Sequence, residues 1–208
     1  MKPHLMLITD RHLVADPILP LAQALEGGVD TILLREKDLD DDKFASLARR
    51  VQELLRHHPS ARLLFSGRRH LARTIGAHGV HLPHEGPSIA ATRAILLPSQ
   101  RIGRSCHDLA SARQAFADGA DFITLSPLFA TRSHPDAPPL GIKAFARIRR
   151  ELFGHVLALG GIDAGNIHQA LSARPDGIAL IRGILDRADP RAEASRLSSA
   201  IRKSIESS

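Results

Sequence analysis

The sequence predicts one small (β/α)8 barrel spanning residues 1–208, and three observations predict it. Short apolar runs alternate with segments of helical periodicity eight times, at about 25 residues per repeat. The runs are nearly continuous, as parallel strands covered on both faces must be. Composition does not shift along the 208 residues, so no linker divides the chain, and that length suits a single substantial core. The alternative is an open doubly wound sheet, but no Gly-x-Gly-x-x-Gly follows the first strand.

The first strand is LMLI at residues 5–8, ending at Thr9 and Asp10. Pro17 opens a helix whose apolar positions Ile18, Leu21, Ala22 and Leu25 fall at helical spacing, and Gly27-Gly28 stops it. TILL at 31–34 is the second strand and runs into Arg35-Glu36-Lys37. Asp40 to Asp42 place acids in the first turn of the next helix, where the macrodipole favours them. Phe44, Leu47, Val51, Leu54 and Leu55 give that helix its apolar face. The third strand is read over 62–65, before Ser66-Gly67-Arg68, with a short helix over 71–75. The fourth strand, 79–82, closes on Pro83.

Ser88 caps a helix carrying Ile89, Thr92 and Leu96. A fifth strand is read over 101–103, with Arg104, Ser105, Cys106 and His107 at its end, and Asp108 caps the helix after it. The sixth strand, 121–125, stops at Ser126-Pro127. From there to Gly141 no periodicity is visible, and Pro135, Pro138 and Pro139 exclude regular structure. An irregular loop of this length in a compact domain is expected to cover a site. Phe145 and Ile148 mark the sixth helix; strands seven and eight are read over 156–159 and 177–181, and Pro190 begins a last helix with Ala194, Leu197 and Ile201.

Bulk composition narrows the function classes. The net charge of +6 is spread over dispersed pairs such as Arg49-Arg50 and Arg149-Arg150. Aromatic residues make up 3%, with no Trp or Tyr, so base-stacking platforms are scarce and nucleic acid is not the expected partner. An anionic small molecule is. No run reaches the apolar length a bilayer needs, and residues 1–7 do not read as an export signal. The single cysteine, Cys106, permits no internal disulfide and fits a cytoplasmic location.

Barrel enzymes carry their chemistry at the C-terminal ends of the strands. Here those ends are Asp10, Arg35 with Lys37, Ser66 with Gly67, His81, Ser105 with His107, Ser126 with Pro127, Gly160 with Gly161, and Arg182 with Gly183. The rim is cationic and rich in hydroxyls, and Asp10 and Glu36 are its only expected acids. It has no carboxylate pair suited to Mg²⁺ and no Cys/His cluster spaced for zinc, so no metal or cofactor is expected. Two strands that stop at glycine bare their amides, which suits a phosphate. His107 and His134 are the candidate acid/base groups; His81 has a strand position that also suits packing. Cys106 reads as an inert small residue.

In order along the chain stand LITDR (7–11), LREKDL (34–39), GAHGVHLP (76–83), IGRSCH (102–107), GADFITLSPLFAT (119–131), PDAPPLG (135–141), LGGI (159–162) and DGIALI (176–181). In this order they resemble the thiamine phosphate synthase and thiazole tautomerase family over nearly the whole chain. The resemblance implies a (β/α)8 barrel, often dimeric, that handles a thiazole phosphate in vitamin B1 synthesis. Arg35, Lys37, Ser105, Thr131, Gly160 and Gly161 match the family's pattern.

Other positions depart from it. Where the family's synthases carry metal-holding aspartates, this chain has Gly67 and Gly86, and Ser66 replaces the Asn beside the first. Leu33 takes the place of a pyrimidine-binding Gln, His134 that of a pyrophosphate-binding Lys, and Arg182 that of a serine. Loss of both carboxylates favours the tautomerase branch, which needs a phosphate anchor, a cation and one acid/base group but no metal. The histidine that branch uses after strand six falls at Pro127. The first expectation is therefore a metal-independent thiazole tautomerase. Gly160, Gly161 and Gly183 would take the phosphate, Arg35 and Lys37 the carboxylate, and His107 or His134 the proton, with Ser66, Ser105, Thr131 and Arg182 as further contacts. One alternative is a thiamine phosphate synthase using Mg²⁺, and another is a non-catalytic binder of the same phosphate.

Overall fold

A computed structural model describes residues 4–14, 16–132 and 137–206. Eight strands alternate with helices: β1 (Leu5–Ile8), α1 (Ile18–Glu26), β2 (Thr31–Leu34), α2 (Asp41–Leu55), β3 (Arg62–Ser66), α3 (Arg69–Ile75), β4 (Gly79–Leu82), α4 (Ile89–Arg93), β5 (Arg101–Cys106), α5 (Leu109–Ala117), β6 (Phe122–Leu125), α6 (Gly141–Arg150), β7 (Val156–Leu159), α7 (Ile167–Ser172), β8 (Gly177–Leu180), α8 (Arg182–Leu185) and α9 (Pro190–Glu206). Each strand pairs in parallel with the next, and β8 returns to β1, so the sheet closes into a (β/α)8 barrel.

The alternation of strand side chains splits the core in two. Leu5, Leu7, Ile32, Leu34, Leu63 and Phe65 point outward and join the helices' apolar faces in one large cluster. Met6, Ile8, Leu33, Leu64, Phe122, Leu157 and Ala179 form a second, smaller cluster inside the barrel. All are buried to within a few per cent, and at about 25 cal/mol per Å² of apolar surface this burial is the main force closing the sheet. The last helix closes the ring against the first: a Cβ on Gly27 would lie 2.4 Å from the carbonyl oxygen of Arg191, so only glycine lets α9 approach this near.

At the opposite end from the rim, one acceptor side chain precedes each even-numbered strand. Asp30 accepts the N–H of Leu5, His78 that of Leu63, Asp121 that of Ile102 and Asp176 that of Val156, at 3.1, 3.1, 2.8 and 2.8 Å. Each satisfies an amide at the start of the preceding strand that has no further strand residue below it to pair with.

Several element boundaries differ from the sequence reading; β6 starts at Phe122, α3 starts at Arg69 and α4 ends at Arg93, short of Leu96. The fifth strand runs to Cys106, because Arg104, Ser105 and Cys106 stay paired with Ile123, Thr124 and Leu125. The third strand takes in Ser66, which pairs with His81. The eighth stops at Leu180, and one helical turn, Arg182–Leu185, follows where a bare strand end was expected. Ser133 to Asp136, and so His134 and Pro135, lie outside the described residues; Pro138 and Pro139 are in neither helix nor strand.

Candidate functional site

The C-terminal ends of all eight strands face one cavity of about 560 Å³. Its floor is apolar: Ile8, Leu33, Leu159, Leu180 and Ile181, with the buried His81 among them. Its wall carries Arg35, Lys37, Ser66, Ser105, His107, Thr131, Gly160, Gly161, Arg182 and Gly183. Ten of the eleven expected site residues thus meet at one mouth; the eleventh, His134, falls outside the described residues.

Strand alternation positions the cations. Leu33, Arg35 and Lys37 lie two residues apart and all line the cavity. Glu36, between them, turns to the other side and is 3% exposed. One of its carboxylate oxygens accepts the N–H of Arg11 at 3.0 Å, and the other is buried with no partner among the described residues. The expectation of Glu36 as a rim acid is therefore corrected: it ties down the loop after β1. Asp10 makes a local turn, its carboxylate accepting the N–H of His12.

His107 follows directly on β5. Its Nδ1 lies 2.7 Å from the main-chain carbonyl oxygen of Ser126. A carbonyl only accepts, so Nδ1 carries a proton, and in the neutral tautomer Nε2 is the nitrogen with the lone pair. The ring of His84 stands edge-on to it, with centroids 4.9 Å apart. His81 is a different case. Burial, with the charges of Arg104 and Arg35, pushes it down to about 4, so it is neutral at physiological pH and packs in the lumen. Burial likewise pushes the Cys106 thiol up to about 12, which removes it as a nucleophile.

Gly160 and Gly161 adopt φ of +106° and +64°. A Cβ on Gly160 would lie 2.8 Å from Cα of Pro127, and one on Gly161 2.3 Å from the carbonyl oxygen of Ala130. Glycine is thus required twice over, for the turn and for the approach of the segment after β6. Arg182, at the start of α8, reaches Oδ2 of Asp186 with Nη1 at 3.3 Å, while its buried Nε has no acceptor among the described residues.

The Mg²⁺ that the family's synthases use finds no donor set here. At Gly67, where an aspartate was looked for, an added Cβ would meet nothing within 4 Å, so space stands in place of a ligand. At Gly86 a Cβ would press on Pro83 at 3.0 Å. Among the described residues no three His, Cys, Asp or Glu side chains gather closely enough to hold a metal ion. The described residues do not fit the ion.

Sequence reasoning missed His84 and Glu85, which line the mouth just past Pro83. The signal was available: they follow a strand end, the position that reads as functional in a barrel.

A parallel barrel whose strand-end cations, positive-φ glycines and a histidine line a single cavity belongs to the class of barrel proteins built for phosphate-bearing small molecules. The family model described as thiamine monophosphate synthase matches residues 5–184, and the chain belongs to that family. It is 42% identical over 196 residues to the putative thiamine-phosphate synthase of Geobacter sulfurreducens, covering 93% of this chain and 92% of that one. It is 39% identical over 187 residues to putative thiamine-phosphate synthase 2 of Aquifex aeolicus, covering 88% and 98%. Among solved structures, the thiamine phosphate pyrophosphorylase of Pyrococcus furiosus superposes with a TM-score of 0.89 at 28% identity, over 97% of this chain and 96% of that chain. The protein's place is therefore in thiamine biosynthesis. These relatives bear the name of the synthase, where the sequence reading had put the tautomerase first. Among the described residues no helix is long and apolar enough to cross a membrane.

Proposed function

We propose that the barrel mouth binds a thiazole phosphate and joins it to a pyrimidine carried as its diphosphate ester, forming thiamine phosphate and releasing pyrophosphate. The observation that carries this reading is the convergence of Arg35, Lys37 and Arg182 with Gly160, Gly161 and Gly183 on one cavity. Two anionic substrates meeting in one pocket need fixed positive charge. In the reaction the thiazole ring nitrogen forms a bond to the pyrimidine's methylene carbon. The bond from that carbon to oxygen breaks, and pyrophosphate leaves with the electron pair. Arg35 and Lys37 stabilise charge as it gathers on the leaving oxygen, and the apolar floor excludes water from the reactive carbon. The names of the relatives support this reaction over others on the same substrate.

A second reading rests on His107. With Nδ1 bonded to Ser126, Nε2 is the nitrogen that exchanges a proton, which suits it to carry one between two carbons of a thiazole carboxylate phosphate. That isomerisation needs none of the carboxylates missing at Gly67 and Gly86. One experiment separates the readings. The protein is given both synthase substrates, with and without chelator, and pyrophosphate is measured; in parallel the thiazole carboxylate phosphate is incubated in D₂O and deuterium uptake is followed. Pyrophosphate release selects the synthase, and uptake alone selects the isomerase. Neither, with tight binding of the thiazole phosphate, leaves a binder.

A further inference from the structure

Arg68 stands at the start of α3, two residues past Ser66, and is not among the residues that line the cavity. Its backbone is left-handed, with φ +39°, directly after Gly67 at +65°. A bulky side chain rarely takes that region, and the cost persists only where surrounding contacts fix it. Here the side chain is 17% exposed and lies across the segment that follows β2. Nη2 donates to the carbonyl oxygens of Glu36, at 3.3 Å, and of Leu39, and Nη1 donates to the Asp41 carboxylate. The guanidinium carbon sits 4.4 Å over the ring of the fully buried Phe44. A planar fork stacked on an aromatic face keeps little freedom. Residues 35–40 lie between β2 and α2 and belong to neither, so side-chain contacts decide their path. Glu36, which Arg68 grips, is the residue between the two cavity cations Arg35 and Lys37. The same segment is held from the β1 side, where Arg11 gives its N–H to the Glu36 carboxylate and its Nε–H to Asp38 at 2.7 Å.

We propose that Arg68 is a positioning residue: by holding the carbonyls of Glu36 and Leu39 it aims Arg35 and Lys37 into the mouth. The inference rests on the reading that these two cations take the charge of a diphosphate. Long cationic side chains lose rotamer freedom when they bind an anion, and a wandering backbone root adds to that cost. Fixing the root before the anion arrives removes the added part. Arg68 therefore acts through two other residues and touches no substrate itself.

The test is calorimetric titration of the full chain with inorganic pyrophosphate and, separately, with the thiazole phosphate, each below the variant's unfolding midpoint. Arg68→Met keeps a stem over Phe44 and removes the donors. It is expected to weaken pyrophosphate about tenfold and the thiazole phosphate by less than about twofold. Arg68→Lys keeps the charge without the fork and is expected to recover less than about half of that loss. In protein already carrying Lys37→Gln, Arg68→Met is expected to add less than about threefold, because part of its effect runs through Lys37. Asp41→Asn, at a half-exposed position, loosens one arm of the fork and is expected to weaken pyrophosphate about threefold. It decides the matter if Arg68→Met does not fold. Wild-type protein that binds pyrophosphate no better than Arg68→Met or Asp41→Asn overturns the role of Arg68 alone. So does full recovery in Arg68→Lys, an undiminished effect beside Lys37→Gln, or an equal loss for both ligands. Wild-type protein that binds no pyrophosphate overturns the reading of Arg35 and Lys37 in the proposed function, and this inference with it.

Discussion

His81 shares a hydrogen bond with Thr124 across the barrel lumen, 3.1 Å away and two strands along. The reach is possible because Gly103, on the strand between, has no side chain: a Cβ there would lie 2.2 Å from Phe122 Cζ and 2.8 Å from His81 Cδ2. The imidazole therefore fills the lumen as a neutral packing group directly beneath the site. Its protonation would place an unpaired charge among apolar neighbours.

Stability should fall on mild acidification. The His81 pKa drops from 6.5 to about 4 on folding, chiefly through burial. Above 6.5 both states are neutral and stability is complete. As pH falls toward 4 the unfolded chain takes up a proton that the folded chain refuses, so stability is lost across that window. The loss is roughly 3 kcal/mol by pH 4, at 1.4 kcal/mol per unit. His78 works in the same direction: burial first, then Arg62, hold it low, and its Nδ1 must stay unprotonated to accept from Leu63. Urea unfolding at pH 7.5, 5.5 and 4.5 checks this. His81→Gln should flatten the slope, and a slope unchanged by that substitution would contradict the assignment.

The His107 bond to Ser126 makes a second prediction. If Nε2 is the acid/base atom, His107→Ala lowers deuterium uptake by about 10²-fold or more. Affinity for the thiazole phosphate should change by less than about threefold, because the anion contacts lie on other strands. A parallel loss of affinity and rate would make His107 a binding residue. Unchanged pyrophosphate release in the same variant would support the synthase reading.

Much of this site was legible in the sequence, because parallel strands are apolar runs and barrel sites sit where those runs end. The misreadings have local causes. Arg104 and Ser105 look like a loop by composition, yet their backbone stays in register with Ile123 and Thr124. Apolar residues flank Arg182-Gly183 on both sides, so the pair read as a bare strand end and gave no sign of the change from extended to helical backbone. Glu36 was placed at the rim by its neighbours, although one step along a strand reverses a side chain's face. The hydrogen bond that fixes the His107 tautomer joins residues 19 apart and has no local signature.

A pair of positive-φ glycines near the mouth should separate packing from backbone strain. Gly161 and Gly67 have nearly the same φ, +64° and +65°. At Gly161 a Cβ would lie 2.3 Å from Ala130 O, whereas at Gly67 nothing lies within 4 Å. Gly67→Ala should cost about 1 kcal/mol, the backbone term alone. Gly161→Ala should cost about 2–4 kcal/mol and displace the segment after β6, weakening phosphate binding as well. Denaturation midpoints and one phosphate titration per variant decide it; equal costs would mean that this segment yields freely.

The acceptors at the closed end of the barrel make the last case. Asp121 takes the N–H of Ile102 at 2.8 Å and the guanidinium groups of Arg93 and Arg101 at 2.7 Å each. Burial alone would raise its carboxyl, but the Ile102 N–H and the two arginines outweigh that and hold it below the usual range. Asp121→Ala leaves a strand amide, the partly buried Arg93 and the exposed Arg101 without their acceptor, a cost of about 2 kcal/mol, most of it at the amide. Asp121→Asn keeps an oxygen for Ile102 and should lose only about half as much. Asp176 repeats the arrangement with Val156 and Arg149, so Asp176→Ala should behave likewise. Because this end lies far from the cavity, both alanine variants should bind the thiazole phosphate normally below their unfolding midpoints. If Ala and Asn prove equally costly at position 121, the ion pairs and not the strand amide carry the stabilisation.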